Sequence, residues 1–465
     1  MKRVTDKKIT PAMFYSKDDP VPPRIIGVEC EYNIQATDKD GVDHYPGEYI
    51  SKPAMDRAGI RNLGGYTELG SRLYQDVGHA EYCTPECLGP YQAAAADIAG
   101  VAILSTIVEA SGIGHRGIFR ISGTSLEDDT PDKRLRYTNG VHENFMAPNQ
   151  LLLSSDRLLI HLLPTYYATR VAAMSGTVSR NKYEFSQKAK GIGGYPIETY
   201  LARRTNAGQK PMALALSNEI DTVGGGWLRV ETRFVDAPFS LAARRHALAT
   251  TSLMLRICEH ADLFNSGEFD DIVIKDPVKA AHTFMADLTL RRKTEVESGK
   301  KRNMLDISEE LAKKVLFLCE RVDLPADEVH AANEWPLIID AFRRSNPKKV
   351  EYDDYLLRNF SVATKHYWLD KIGAFEKGDA ESKTRSLQWD RVLPKGNGRL
   401  LMERLDAEDP EVQLLQRQAP LTRAAIRAQY IIDSQNQLGA HIYSWNSGGQ
   451  LGGSFPFSDP YGYRP

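Results

Sequence analysis

The sequence predicts an α+β fold that combines one large sheet with packed helices and a small C-terminal domain. Polar and apolar residues alternate along several segments between residues 24 and 239, as they do in strands that bury one face. Over residues 240–260 the apolar residues recur at helical spacing, and helical segments continue to about residue 375 with a polar turn at 294–302. A helix at 422–437, followed by short Gly-, Ser- and Pro-rich segments, then predicts the small domain.

This pattern divides the 465 residues into three regions. Residues 1–22 are rich in charge and end in proline, which predicts a tail that leads into the first strand. We expect residues 23–394 to form the large domain and residues 395–465 to form the small C-terminal domain. Hydrophobic residues make up 42% of the chain, which is enough to support a sizeable core.

The composition argues against several broad classes of function. Lys and Arg number 59 against 61 Asp and Glu, so a strongly electrostatic nucleic-acid binder is not expected. No apolar run approaches the ~20 residues of a membrane-spanning helix, and the best candidate, 98–108, is interpreted as a core helix. Five scattered cysteines and a polar N-terminus are typical of a protein of a reducing compartment. We therefore predict a soluble cytoplasmic protein that binds neither nucleic acid nor membrane.

The most informative segment is 24–34, where apolar residues alternate with polar ones. With a period of two residues, Glu29 and Glu31 share one face of a strand while the apolar residues pack on the other. Two carboxylates this close repel each other unless a cation lies between them, and carboxylate oxygens suit Mg²⁺. The alternative interpretation is the solvated outer face of an edge strand.

A second predicted strand, 227–236, presents Arg229, Glu231 and Arg233 on one face. This pattern could combine one metal ligand with two phosphate-binding groups, since guanidinium groups bind phosphate through paired hydrogen bonds. A cross-strand ladder of ion pairs is the alternative. The glycines at 224–226 would permit close approach of a ligand, which favours a site slightly.

Acidic residues also crowd the segment 72–86, which contains Tyr74, Asp76, Glu81 and Glu86. If the segment begins as a strand, Tyr74 and Asp76 share a face. A carboxylate beside a metal-bound phosphate can deprotonate an incoming amine or water, or attack an electrophile itself. One such segment is a weak signal, but three strands that each carry acids in line indicate a site.

Other polar groups are weaker candidates for phosphate contacts. His142 and Asn144 alternate on one face of 139–145, although the first two residues of that segment also form a turn signal. Arginine pairs at 203–204 and 244–245 could bind phosphates, whereas such pairs are more often solvated. The sequence contains neither a P-loop nor a dinucleotide-binding fingerprint.

These motifs resemble those of the family of Pup ligases and Pup deamidases/depupylases, which are related to glutamine synthetase and other carboxylate-amine ligases. The resemblance is carried mainly by residues 27–32, 72–86 and 140–145, and weaker matches extend over nearly everything after residue 23. It implies a glutamine synthetase-like large domain in which a curved antiparallel sheet cradles the ATP site. The ligase branch is the more similar one.

The resemblance also implies a role for individual residues. Asp76 falls where the family keeps its catalytic aspartate, and Tyr74 lies beside that position. Glu231 stands where the family carries a histidine, a position at which a carboxylate can also hold Mg²⁺. The implied metal ligands are Glu29, Glu31, Tyr74, Glu81 and Glu231. The implied nucleotide contacts are His142, Asn144, Arg204 and Trp445, to which the strand pattern adds Arg229 and Arg233.

The implied activity is an ATP- and Mg²⁺-dependent joining of a Pup-like modifier, through its C-terminal Glu, to a lysine of a protein substrate. Family deamidases carry a long insertion between the paired glutamates and the aspartate. Glu31 and Asp76 are only 45 positions apart, which favours the ligase over the deamidase/depupylase. A small-molecule glutamate–amine ligase and a non-catalytic protein that kept the fold are further alternatives, and the oligomeric state stays open.

Overall fold

Most strands of the described chain belong to one sheet of 12 strands. The computed structural model describes residues 21–36, 40–42, 44–76, 79–120, 141–148, 151, 156–179, 182–186, 188–192, 197–199, 212–216, 227–234, 236–238, 240–265, 267–376, 378–389, 391–392, 408–434, 441–444, 447–450 and 453–456. Its strands are β1 (Ile25–Ala36), β2 (Asn62–Leu63), β3 (Tyr66–Thr67), β4 (Arg72–Asp76), β5 (His79–Cys83), β6 (Cys87–Leu88), β7 (His115–Arg120), β8 (Val141–Pro148), β9 (Thr177–Ser179), β10 (Lys182–Glu184), β11 (Ile197–Thr199), β12 (Ala213–Leu216), β13 (Trp227–Thr232), β14 (Lys293–Glu295), β15 (Lys301–Asn303), β16 (Arg391–Val392), β17 (His441–Ser444), β18 (Ser447–Gln450) and β19 (Gly453–Pro456).

Helices fill most of the remaining described chain, so the predicted α+β class is confirmed. They are α1 (Pro46–Tyr49), α2 (Lys52–Arg57), α3 (Gly89–Ala110), α4 (Asp156–Thr169), α5 (Lys188–Gly191), α6 (Leu241–Glu259), α7 (Pro277–Met285), α8 (Met304–Cys319), α9 (Ala326–Arg344), α10 (Asp354–Asn359), α11 (Ser361–Lys371), α12 (Asp379–Trp389), α13 (Pro410–Leu415) and α14 (Arg423–Ser434).

Five strands form the centre of the large sheet, in the order β13, β8, β1, β5 and β4, each antiparallel to its neighbours. β8 pairs with the first half of β1, and β7 pairs with its second half along the same edge. The pairing of β11 with β12 at one end of the sheet is parallel. The predicted antiparallel sheet is therefore confirmed in its central part, which holds the three acid-bearing segments.

One face of β1 is buried beneath helices. The apolar residues that alternate along the strand are almost completely inaccessible, as the period of two residues predicts. Helix α3 packs against β1 and against α6. The polar residues Glu29 and Glu31 alternate with the buried set and are only half-buried. The buried residues are Ile26, Val28, Cys30 and Tyr32.

Helix α3 is long and apolar enough to cross a membrane by length and composition alone. It is nevertheless a mostly buried helix that lies on the sheet, which confirms the core helix predicted at 98–108. A Cβ atom at Gly100 would lie 2.2 Å from the ring of Tyr82, so the helix needs a glycine there to approach β5 this closely. The apolar composition of α3 is explained by its place in the core.

The helix predicted at 240–260 is present as α6. Ser240 caps it by accepting a hydrogen bond from the backbone N–H of Ala243, which satisfies one of the donors at the helix start. The polar turn predicted at 294–302 is part of a hairpin, because β14 and β15 pair across it. Gly299 has a φ of +84°, a backbone conformation that favours glycine in such a turn.

The C-terminal helices pack against the large sheet region. Helix α13 contacts α3, and α14, which matches the helix predicted at 422–437, contacts β3. Strands β17, β18 and β19 form a separate three-stranded antiparallel sheet. Of the predicted tail 1–22, all but the last two residues lie outside the described chain. The boundaries 1–22, 23–394 and 395–465 stay predictions.

Candidate active site

The central strands bring the acid-bearing segments together by their register. Residues directly opposite each other in antiparallel strands project to the same face. Glu31 lies opposite Glu81, and Glu81 lies opposite Tyr74 on its other side. On the other edge of β1, Glu29 lies opposite His142. Since Glu231 lies opposite Asn144 of β8, the polar residues of five neighbouring strands share one sheet face.

Three carboxylates meet at one end of this face, and we refer to Glu31, Asp76 and Glu81 as the acid cluster. One oxygen atom from each of the three lies within 4.8 Å of the other two. Glu81 is only 4% exposed, whereas Glu31 and Asp76 are half-buried. So much negative charge in one place makes the cluster suited to a divalent cation.

The pKa values in the acid cluster reflect this concentration of charge. Burial and the negative charges of nearby carboxylates together raise the pKa of Glu81 to about 7, even though a hydrogen bond from Tyr74 lowers it. Burial also raises the pKa of Tyr74, and the thiol of Cys83 and the carboxylate of Glu81 act in the same direction. Tyr74 is therefore a neutral hydrogen-bond donor to Glu81 at neutral pH.

Two arginines surround one acid at the other end of the face, and we refer to Arg229, Glu231 and Arg233 as the arginine cluster. Arg229 Nη2 lies 3.0 Å from Glu231 Oε2, and Arg233 Nε lies 2.5 Å from Glu231 Oε1. Glu231 is buried, while the side chains of Arg229 and Arg233 remain 22% and 29% exposed. These ion pairs run along one strand, unlike the cross-strand ladder considered from the sequence, and they leave both guanidinium groups partly exposed.

Glu29 links the two ends of the face. Its Oε2 lies 3.1 Å from His142 Nδ1, and its Oε1 accepts a hydrogen bond from Asn144 Nδ2 at 3.2 Å. Arg229 Nη1 lies 3.0 Å from Asn144 Oδ1 and 3.7 Å from Glu29 Oε1. Burial opposes ionisation of Glu29, but His142, Arg229 and Asn144 together lower its pKa. Glu29 is therefore ionised and paired with cationic and polar partners.

The geometry divides the predicted metal ligands into two groups. Glu31 and Glu81 lie in the acid cluster, together with Asp76, which was predicted to be catalytic. Tyr74 lies beside them through its hydrogen bond to Glu81. Glu29 and Glu231 lie instead with the arginines. Which of these groups bind metal stays a prediction.

The predicted nucleotide contacts are brought together only in part. His142, Asn144, Arg229 and Arg233 lie on adjacent strands at the same face. Arg204 and Trp445 lie outside the described residues, so their roles stay predictions. Arg244, which the sequence left as a possible phosphate ligand, is fully buried on the helix side and pairs with Asp97 at 2.9 Å.

Sequence reasoning missed Arg72, which lies beside the acid cluster. Its guanidinium carbon stands 4.4 Å from the ring centre of Tyr74 and 4.9 Å from that of Tyr66. Such distances are typical of cation–π contacts. The signal was present in the sequence, because Arg72 precedes Tyr74 and Asp76 at a spacing of two residues on one strand.

Comparisons with known proteins point to one family. A family model described as "Pup-ligase protein" matches residues 24–448. The Pup–protein ligase of Acidimicrobium ferrooxidans is 28% identical over 335 residues, which cover 70% of this chain and 69% of that protein. The Pup deamidase/depupylase of Mycolicibacterium smegmatis is 24% identical over 413 residues, which cover 84% of this chain and 76% of that protein.

Solved structures show the same fold at low sequence identity. The ligase PafA in complex with the prokaryotic ubiquitin-like protein Pup matches with a TM-score of 0.74 and 18% identity, over 95% of this chain and 90% of that one. PafA in complex with ADP matches with a TM-score of 0.69 and 17% identity, over 91% and 92% of the two chains. Since the family model spans all the strands of the candidate site, the chain belongs to the Pup-ligase protein family.

Proposed function

We propose that this chain is an ATP- and Mg²⁺-dependent ligase that joins a Pup-like modifier to lysines of protein substrates. The observation that carries the proposal is the placement of the acid cluster and the arginine cluster on one sheet face in a member of the Pup-ligase family. Carboxylates can hold a divalent cation, and guanidinium groups can bind phosphates. The proposed enzyme is a soluble protein of the cytoplasm.

Mg²⁺ fits the acid cluster by donor type and by spacing. Glu31 and Glu81 offer hard oxygen ligands of the kind that Mg²⁺ prefers, and a carboxylate oxygen of Asp76 lies within 4.8 Å of both. When bound, the ion would offset the negative charge of phosphate oxygens and so favour attack at phosphorus. Tyr74 orients Glu81 by donating its hydroxyl hydrogen to that carboxylate.

The arginine cluster is the proposed site for the phosphates of ATP. Arg229 and Arg233 are held by Glu231 but keep part of each guanidinium exposed. The solved structure of PafA with ADP supports a nucleotide site in this fold. His142 and Asn144 lie next to Arg229 and are proposed to line the same site. Arg204 and Trp445 remain proposed contacts outside the described residues.

In the proposed reaction, the γ-carboxylate of the modifier's C-terminal Glu attacks the γ-phosphorus of ATP, and ADP leaves. The ε-amine of the substrate lysine then attacks the acyl phosphate, and inorganic phosphate leaves as the isopeptide bond forms. The lysine must lose a proton to form this bond. Asp76 is the proposed acceptor, because it ends β4 and its carboxylate is half-buried, within reach of an incoming side chain.

Hydrolysis of the same bond is a second candidate, favoured by the match to the deamidase/depupylase of M. smegmatis. In that reaction Asp76 would act on an amide or isopeptide bond, and ATP would not be consumed. The short connection between β1 and β4, made of α1, α2, β2 and β3, favours the ligase. An amino-acid substrate in place of the modifier would instead define a small-molecule ligase.

One assay separates these activities. The purified chain is incubated with Mg²⁺-ATP, a Pup-like protein that ends in Glu, and a lysine-bearing acceptor. We expect conjugate and ADP in equal amounts, detected by gel shift and by a coupled ADP assay. Cleavage of preformed conjugate without net ATP use would identify a depupylase. ADP release that depends only on a free amino acid would identify a small-molecule ligase.

A further inference from the structure

Helix α14 carries two arginines that the proposed reaction does not use. Both reach Glu86 in the connection between β5 and β6. Arg427 Nη2 donates to Glu86 Oε2 at 2.6 Å, and Arg423 Nε donates to Glu86 Oε1 at 2.6 Å. Arg427 is fully buried, and we refer to Glu86, Arg423 and Arg427 as the Glu86 clamp. The clamp fastens the C-terminal helix to the strand region of the site.

Arg427 also contacts the hairpin that carries Tyr74 and Asp76. Its Nη2 donates a hydrogen bond of 2.7 Å to the backbone carbonyl of Gly70, in the turn between β3 and β4. Gly70 has a φ of +79°, and a Cβ atom there would lie 2.9 Å from the Cβ of Ala424. The turn is therefore packed directly on α14, with no room for a side chain between them.

An alternating stack of cations and aromatic rings leads from Arg427 to the acid cluster. The guanidinium carbon of Arg427 lies 5.7 Å from the ring centre of Tyr66. The guanidinium carbon of Arg72 lies 4.9 Å from the centre of the same Tyr66 ring and 4.4 Å from the ring centre of Tyr74. Tyr74 then bonds to Glu81 through its hydroxyl. Because cation–π attraction depends on the position of the ring face, this stack restricts where the Tyr74 hydroxyl can lie.

We propose that Arg427 is a positioning residue for the proposed reaction. It holds the β3–β4 hairpin through Gly70 and Tyr66, so that Tyr74 and Asp76 keep their places in the acid cluster. Arg427 itself is buried and acts on the site only through these contacts. This inference rests on the proposed function, since it assigns Arg427 a part in that activity.

The test compares two substitutions within the Glu86 clamp. Arg427→Met removes the bond to Gly70, the cation beside Tyr66 and both bonds from Arg427 to Glu86, whereas Arg423→Gln removes only one bond to Glu86. We expect Arg427→Met to lower kcat for conjugation about tenfold or more and to speed amide hydrogen exchange in residues 66–76 about tenfold. Arg423→Gln should stay within about twofold of wild type in both measurements, even if its Tm falls by as much as that of Arg427→Met.

A second pair of variants tests the stack if Arg427→Met fails to fold. Tyr66→Leu removes the ring and should reproduce the loss of kcat, whereas Tyr66→Phe keeps the ring and should restore kcat to within about threefold of wild type. A kcat that stays at the wild-type level in Arg427→Met, or that falls equally in Arg423→Gln at the same loss of Tm, would overturn the inference. Equal losses in Tyr66→Leu and Tyr66→Phe would overturn it as well.

The exchange measurement requires neither modifier nor acceptor, so the two proposals can fail separately. A wild-type protein that forms no conjugate overturns the proposed function, whatever the hairpin does. Equal exchange of residues 66–76 in Arg427→Met and Arg423→Gln overturns the positioning role, whether or not the wild type forms conjugate. Faster exchange in Arg427→Met alone, together with its lower kcat, supports both proposals.

Discussion

Glu81 and Glu86 lie five residues apart and are both buried, yet their surroundings shift their pKa values in opposite directions. Burial and nearby carboxylates together raise the pKa of Glu81 to about 7. Burial also opposes ionisation of Glu86, but the charges and hydrogen bonds of Arg427 and Arg423 outweigh it and lower the pKa to about 2. The acid cluster and the Glu86 clamp are thus two different environments for a buried carboxylate.

The difference shows how partners decide what a buried carboxylate does. A buried charge costs free energy unless an opposite charge or hydrogen bonds compensate for it. Glu86 has two guanidinium groups beside it and contributes to docking of a helix. Glu81 has other acids beside it, so a bound cation would lower the energy of the site. A carboxylate such as Glu81, whose pKa is raised by burial and by neighbouring acids, is typical of a functional site.

The largest expected effect is on catalysis in the acid cluster. We expect Asp76→Asn to lower kcat for conjugation by about a thousandfold, because the amide cannot accept the lysine proton. Nucleotide binding, measured by calorimetry with ADP, should change by less than about threefold, since the arginine cluster is intact. Conjugation at the wild-type rate would show that Asp76 is not the base.

Neutralising the two glutamates should affect stability with opposite signs. Glu86→Gln leaves two arginines without their buried partner and should lower the free energy of unfolding by about 3–5 kcal/mol. Glu81→Gln removes repulsion among acids and should raise the free energy of unfolding of the metal-free protein at pH 8. Urea unfolding followed by circular dichroism measures both. A loss of stability in both variants would contradict the opposite effects that we expect for the acid cluster and the Glu86 clamp.

The pH dependence of stability should separate the same two residues. The folded-state pKa of Glu81 is raised, so its contribution is present below about pH 4.5 and is lost as the pH rises to about 7, by about 3 kcal/mol in the metal-free protein. The folded-state pKa of Glu86 is lowered, so its contribution is present above about pH 4.5 and is lost as the pH falls towards 2.

Urea unfolding of wild type, Glu81→Gln and Glu86→Gln across this range tests these contributions. The neutral-pH slope should disappear in Glu81→Gln and persist in Glu86→Gln. The acidic slope should become shallower only in Glu86→Gln. Slopes that do not depend on either substitution would refute the assignment of pKa values to these two residues.

The smallest expected effect is on the affinity of the acid cluster for a divalent cation. Protons compete with the cation for Glu81, so affinity for Mn²⁺, used as a spectroscopic probe for Mg²⁺, should rise about tenfold from pH 6 to pH 8. In Glu81→Gln the affinity should be lower and nearly independent of pH over this range. Electron paramagnetic resonance measures the free ion. A steep pH dependence that survives the substitution would place the titrating ligand elsewhere.

Much of the fold could be predicted because its signals are local. The alternation in β1 identifies a strand with one buried face, and the spacing of apolar residues identifies α6. The pairing of β14 with β15 was missed, because three-residue strands give too short a pattern to distinguish from a turn. Helix α3 was predicted as a core helix only over residues 98–108, and its length and composition alone would also fit a membrane helix.

The candidate site could be predicted only as a set of residues. Alternation placed Glu29 with Glu31, and Arg229 with Glu231, but it did not show which acids would meet a cation. The register of β1 with its neighbours places Glu31 beside Glu81 and Glu29 beside His142. Register depends on the packing of the whole sheet, so it cannot be predicted from the sequence of any one strand.

The sequence by itself determined the class of fold, the family resemblance and the residues that share each strand face. These follow from periods of two and 3.6 residues and from short motifs, which are properties of neighbouring positions. The tertiary structure decided the partners. Glu81 and Glu86 are the same residue type in one acidic segment of the sequence. In the folded chain, neighbouring strands place carboxylates beside Glu81, whereas α14, more than 330 residues further along, places arginines beside Glu86. Electrostatic energy depends on distance in space, so only the folded chain makes that distinction.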